Sequence, residues 1–177
     1  MNVGACPAAP RSMRLAQRLR QALPPVLPTL GGAIGWGIAA GVCALSGLML
    51  DDWQTPAKIR AVFLLFALGG FVAFPFGLYL ARLLAQWRQT GETAFAAAFV
   101  ALTLTTIAAT AALYGLQYRE YYAQWHEDAF TRIWFLQFIH TLAAAAYQFA
   151  VLGVRLYFPI GFLALLAVSL WFARRSR

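Results

Sequence analysis

The sequence predicts an all-α polytopic transmembrane helical bundle, with four crossings plus one re-entrant or interfacial apolar helix. Three observations carry that expectation. First, five long apolar stretches fill most of the 177 residues. Second, 62% of the chain is hydrophobic and only 11% is charged, where a soluble domain carries about 25% charged residues; the mean hydropathy is +0.65. Third, the stretches are continuous and do not alternate, so helices satisfy the backbone in lipid where barrel strands would not.

The stretches run from Val26 to Leu50, Ala61 to Leu84, Thr93 to Leu116, Ile133 to Gly153 and Leu156 to Ala173. About 20 apolar residues in a helix cross the ~30 Å hydrocarbon layer. All but the last stretch reach that length, and the last comes close. The domain organisation follows: a basic leader over 1–25, one transmembrane helical domain over 26–173, and a basic tail over 174–177. No second, soluble domain is expected.

The net charge of +8 does not read as a nucleic-acid surface. The arginines sit at the ends of apolar runs, where the positive-inside rule places them, and do not form one face interleaved with stacking aromatics. Cys6 lies in the leader and Cys43 inside the first apolar run, so a disulfide between them is not expected. Val3 to Cys6 resembles a lipoprotein cleavage box but has no apolar region before it. Arg11, Arg14, Arg18 and Arg20 form a basic flank. The run after them exceeds the 7–15 residues of a signal h-region, so the first helix is expected to stay uncleaved.

Charge sets the expected orientation. With four crossings, the arginines of the leader, Arg82, Arg88 and the cluster Arg174, Arg175 and Arg177 share one side. Lys58, Arg60, Arg119 and Arg132 take the other, with Asp51, Asp52, Glu120, Glu127 and Asp128. With five crossings, the alternative, this bias vanishes. The positive-inside rule therefore favours four crossings with both termini cytoplasmic. The stretch that fails to cross is then Ile133 to Gly153, on the outer side, or else Leu156 to Ala173, half-inserted on the inner side. Pro159 marks the break between them: it pushes Phe158 toward extended backbone and starts the last helix.

Each element has its own reason. Pro24, Pro25 and Pro28 keep the first membrane helix from running back through the leader. That helix carries Gly31 with Gly35 and Gly37 with Gly41, two small-xxx-small pairs that let helices approach closely in lipid. They serve either internal packing, the favoured reading, or a dimer or partner interface. Asp51 and Asp52 read as a capped turn beside the interfacial Trp53, and not as a metal site. The second run holds Pro75, which permits a kink. Thr103, Thr106 and Thr110 share one face of the third run and read as a packing face whose hydroxyls bond back to the helix or across to a neighbour.

Residues 114 to 155 are the most unusual. Tyr114, Tyr118, Tyr121, Tyr122, Trp125 and Trp134 read as an outer aromatic belt. His126-Glu127-Asp128 lacks the spacing of a zinc helix and reads as solvated loop. Gln137, His140 or Thr141, Gln148 and Arg155 follow helical spacing and are expected along one stripe, with Phe135, Phe138, Leu142, Ala146 and Phe149 opposite. Polar groups at membrane depth turn toward protein or water, so Gln137, His140, Gln148 and Arg155 are the candidates for a polar cavity, with Arg155 suited to an anionic headgroup. The alternative is ordinary interhelical hydrogen bonding. His126 and His140 would lie ~21 Å apart on one helix, too far to hold one haem without a sharp bend. No cofactor, metal site or catalytic constellation is expected.

The sequence thus points to a small integral protein of a bacterial inner membrane: a non-enzymatic structural or accessory subunit of a membrane assembly, with a membrane-protein partner or a second copy. The alternative is a lipid or small-solute transport or lipid-handling protein that uses the polar stripe. A lipid-modifying enzyme with acids at Glu120, Glu127 or Asp128 is the third, weaker option.

Overall fold

A computed structural model describes residues 15–50, 55–87 and 90–175. Cys6, Arg11, Arg14, the Asp51–Asp52–Trp53 turn, Arg88 and Arg177 lie outside the described residues. Within them every regular element is helical: α1 (Leu15–Gln21), α2 (Val26–Leu50), α3 (Pro56–Ala85), α4 (Gly91–Tyr122), α5 (Arg132–Gln148) and α6 (Ile160–Arg175). Four helical segments are long and apolar enough to cross a membrane: α2, α3, α4 with its 3-10 extension to Trp125, and the run from Arg132 to Tyr157.

The ends of these helices are legible. Pro56 opens α3 at a position that needs no backbone donor. Thr90 caps α4 through its side chain to Thr93 N, and Thr131 caps α5 through Trp134 N. Phe130, in the turn before α5, has φ 71°, a left-handed conformation that an aromatic residue rarely adopts.

α3 is the central helix, and glycine is the reason. A Cβ at Gly70 would meet Ala40 Cβ at 2.9 Å and Trp36 O at 3.0 Å on α2. A Cβ at Gly69 would collide with Thr110 Oγ1 on α4, and one at Gly77 would sit 2.6 Å from Thr105 Oγ1. Lipid supplies no hydrophobic drive between helices, so this close backbone approach, with its dispersion contacts, holds them. The small-xxx-small pairs of α2 divide. Gly37 and Gly41 press on Ala67, Phe71 and Phe63 of α3, whereas Gly31 and Gly35 have nothing within 4 Å.

α5 does not run alongside α4. Trp134 and Phe138 near its start meet Arg119, yet Gln148 at its end reaches Tyr118 and Tyr114. Partners that change so little along α4 require a steep crossing near the C-terminal end of that helix. α6 instead runs antiparallel to α4: Leu165 packs with Leu102, and Phe172 with Ala94 and Ala98. Between them the backbone widens to a π turn over Phe149–Gly153 and tightens to 3-10 over Val154–Tyr157. Phe158 is extended (φ −99°, ψ 141°), as its following proline demands. α6 thus leads back toward the start of α4, whereas α5 lies across the C-terminal end of that helix.

Gln21, Pro25, Thr90 and Arg175 surround one cavity, so both described ends of the chain lie at the same end of the bundle, here called the terminal end. The opposite, loop end carries Lys58, Arg60 and the α4–α5 turn.

Gly69→Leu should lower the detergent-solubilised melting temperature, with a cost of about 1–3 kcal/mol or more from overpacking. Gly35→Leu, with open space before it, should leave melting of the isolated chain within error. Equal melting of the two variants would contradict the packing assigned to α3.

Candidate functional site

The break between α5 and α6 lines a cavity of about 330 Å³ in the cleft between α2 and α6, floored by α4. Irregular backbone at membrane depth is tolerated only where protein buries it or where it lines a cavity, and π turns recur at functional sites. Trp36, Ala40 and Cys43 contribute from α2, Leu102 and Thr106 from α4, and Gly161 and Leu165 from α6. Small residues make the break fit. A Cβ at Gly47 would meet Leu156 at 2.8 Å, and one at Gly161 would come within 3.4 Å of Cys43 Sγ.

The polar groups around this cavity bond to one another. Trp36 Nε1–H donates to Thr106 Oγ1 at 2.9 Å, a buried bond between residues 70 positions apart. Thr110 donates its hydroxyl to Thr106 O at 2.9 Å, so Tyr157 O–H donates to Thr110 Oγ1 at 2.7 Å. Tyr157 thereby ties the unwound segment to α4, and its ring lies 4.9 Å from that of Phe66 on α3. Cys43 is a free thiol, 2% exposed, that packs as a small apolar side chain. The cavity wall is mostly apolar, the hydroxyls of Thr103, Thr106 and Tyr157 and the Trp36 N–H being turned to partners in the protein, and its one charged member is Arg155, exposed on the unwound segment.

The four stripe residues occupy different surroundings. Gln137 Oε1 accepts from Glu127 N at 3.0 Å and so holds the α4–α5 turn. Gln148 Oε1 accepts from Tyr114 O–H at 2.8 Å, while its Nε2 donates to Tyr118 at 3.3 Å. His140 faces outward, its Nδ1–H donating to Leu136 O at 2.8 Å. Only Arg155 lines the cavity. The opposite face expected for α5 also divides. Phe149 is buried against Phe66 and Tyr114, whereas Phe135 and Ala146 are exposed. The cause is the steep tilt and the π turn, which rotate residues beyond Gln148 relative to a straight helix.

The turn after α4 brings His126 back onto α5, where its Nε2 lies 3.2 Å from Thr141 Oγ1. Thr141 spends its own hydroxyl on Gln137 O, so His126 is the donor. Glu120, Glu127 and Asp128 are exposed. Among the described residues no three or more His, Cys, Asp or Glu side chains group to hold a metal ion. Sequence reasoning missed Trp36 and Tyr157. The available signal was a tryptophan deep within an apolar run, away from the interfacial belt where the residue is common. A donor at that depth needs a partner on another helix.

No family model matches this chain, and neither does any curated protein or solved structure.

Proposed function

We propose that the protein is a non-enzymatic accessory subunit of a bacterial inner-membrane assembly, with both termini cytoplasmic. The observation that carries this reading is the division of the α2 glycines. Gly37 and Gly41 are consumed by α3, whereas Gly31 and Gly35 present a second small-xxx-small pair, flanked by the exposed Ile34 and Ile38, to open space. Such a surface admits another membrane helix at close range. The polar interior supports the same reading, because Gln137, Gln148, Thr106 and Thr110 are engaged in holding the bundle together.

The orientation rests on charge. The described arginines at the terminal end include Arg18, Arg20, Arg82, Arg174 and Arg175, and the acids Glu120, Glu127 and Asp128 fall at the loop end. A green fluorescent protein fused after Arg177 should fluoresce, and alkaline phosphatase fused there should be inactive in cells. The reverse pattern would overturn the assigned orientation.

Mild detergent extraction should yield an oligomer or a complex with another membrane protein. Gly31→Leu with Gly35→Leu should release the chain as a monomer whose melting is unchanged. A wild-type chain that runs as a monomer without partner in light scattering would remove the basis for an accessory role.

A second reading is favoured by one observation: the helix breaks where the apolar cavity lies, with Arg155 at the rim. On this reading the protein handles a lipid, its acyl chain in the cavity and its anionic headgroup at Arg155. A photoactivatable acyl-chain phospholipid should label peptides around Val154–Leu165, several-fold less in Arg155→Ala and undiminished in His140→Ala. Equal labelling in Arg155→Ala would dismiss it.

A further inference from the structure

A second cavity, of about 800 Å³, opens at the terminal end of the same α2–α6 cleft. Its polar members sit at helix ends: Gln21 closes α1, Arg82 and Gln86 close α3, Thr90 caps α4, and Arg175 ends α6. That places them at the depth of lipid headgroups. Its deeper wall is apolar, built by Phe74 and Leu78 of α3 and Phe172 of α6. One end of the cavity is thus basic and the other greasy. None of the described residues lining it is Asp or Glu.

The two arginines are held in place. Arg82 Nη1 donates to Leu23 O at 2.6 Å, which anchors the leader against α3 and leaves further guanidinium donors. The Arg175 guanidinium lies 4.5 Å above the Trp171 ring, an arrangement that orders the side chain while keeping its donors for another group. Gln86 closes the rim beside them. Its Nε2 donates to Arg18 O at 3.1 Å, yet its Oε1 is buried without a hydrogen-bond partner. That oxygen is closed off from the cavity, so Gln86 serves here to tie α1 to the end of α3.

We propose that this cavity binds one anionic phospholipid. The phosphate lies between Arg82 and Arg175, and an acyl chain follows Phe74, Leu78 and Phe172. A phosphatidylglycerol-type headgroup supplies the single negative charge that two arginines without a lining acid call for. Guanidinium and phosphate match in geometry and charge, and the pairing strengthens in the low dielectric beside hydrocarbon. The binding site is separate from the Arg155 cavity and from the α2 glycine face, so it stands or falls independently of the proposed role.

The test uses the full chain, released by native mass spectrometry from vesicles of equal phosphatidylglycerol and phosphatidylcholine. Phosphatidylglycerol adducts should dominate. Arg82→Gln with Arg175→Gln should reduce them roughly tenfold, and Arg60→Gln at the loop end should not. Arg82 also anchors Leu23, so if the double variant fails to fold, Arg175→Gln alone decides, with an expected loss of several-fold. Equal retention of the two lipids, or undiminished phosphatidylglycerol on a folded Arg175→Gln chain, overturns the site. Displacement of the adduct by millimolar inorganic phosphate would assign the arginines to a free anion and overturn the lipid.

Discussion

The whole arrangement depends on α3 touching two helices at backbone distance. Gly69 and Gly70 are neighbours in sequence, yet one faces Thr110 on α4 and the other faces Ala40 and Trp36 on α2. Residues about 100° apart on a helix can address two partners only if neither carries a side chain that holds those partners away. With both positions empty, α2 and α4 come close enough for Trp36 to reach Thr106 directly across the edge of α3. That bond, with the surrounding cluster of Ala33, Phe74, Leu102 and Leu165, sets where α6 can dock. In lipid this matters more than in water, because apolar area alone brings no helices together.

The final helix shows how a chain can break inside a membrane without leaving polar backbone stranded. From Phe149 to Tyr157 the helical hydrogen bonding changes period twice, and it stops at the extended Phe158. The break is buffered by α2 and α4. Leu156 fills the space left at Gly47, Tyr157 bonds to Thr110, and Gly161 approaches Cys43. The cost of the break is met by contacts that a straight helix could not make. Its consequence is directional: α5 lies across α4 at the loop end, while α6 lines up antiparallel to it and carries Arg174 and Arg175 back to the terminal end.

Much of this was legible in the residues. The helices, their approximate limits and the proline break follow from apolar run length and Pro159. The polar stripe was only partly legible. Gln137, Thr141 and Gln148 do turn toward protein, as their cost in lipid requires. His140 does not, because a histidine can satisfy one ring nitrogen on its own helix through Leu136 O and leave an exposed ring behind. Helical periodicity also assumed one straight axis, and the π turn at Phe149 shifts everything after it. Pairings such as Trp36 with Thr106 and Tyr157 with Thr110 depend on which helices become neighbours. That is decided by glycine contacts on α3, and no local pattern on α2 or α4 reports it.

The α2–α6 cleft unites these features. α2 and α6 touch only sparsely, and the seam between them holds both cavities described above. Trp36, Phe74 and Leu165 close it at mid-depth, with the Trp36 and Phe74 rings 6.4 Å apart. What remains is an apolar chamber toward the loop end and a basic, amphipathic one toward the terminal end. A continuous polar path would be needed to pass a hydrophilic solute from one to the other. The closing cluster offers instead large apolar rings and a tryptophan whose N–H is already bonded to Thr106. The seam therefore has the character of two separate sockets opening beside the helices, each with an apolar wall that hydrocarbon fits. This is the arrangement the proposed role calls for: apolar surfaces and sockets that can hold lipid or another helix in the bilayer.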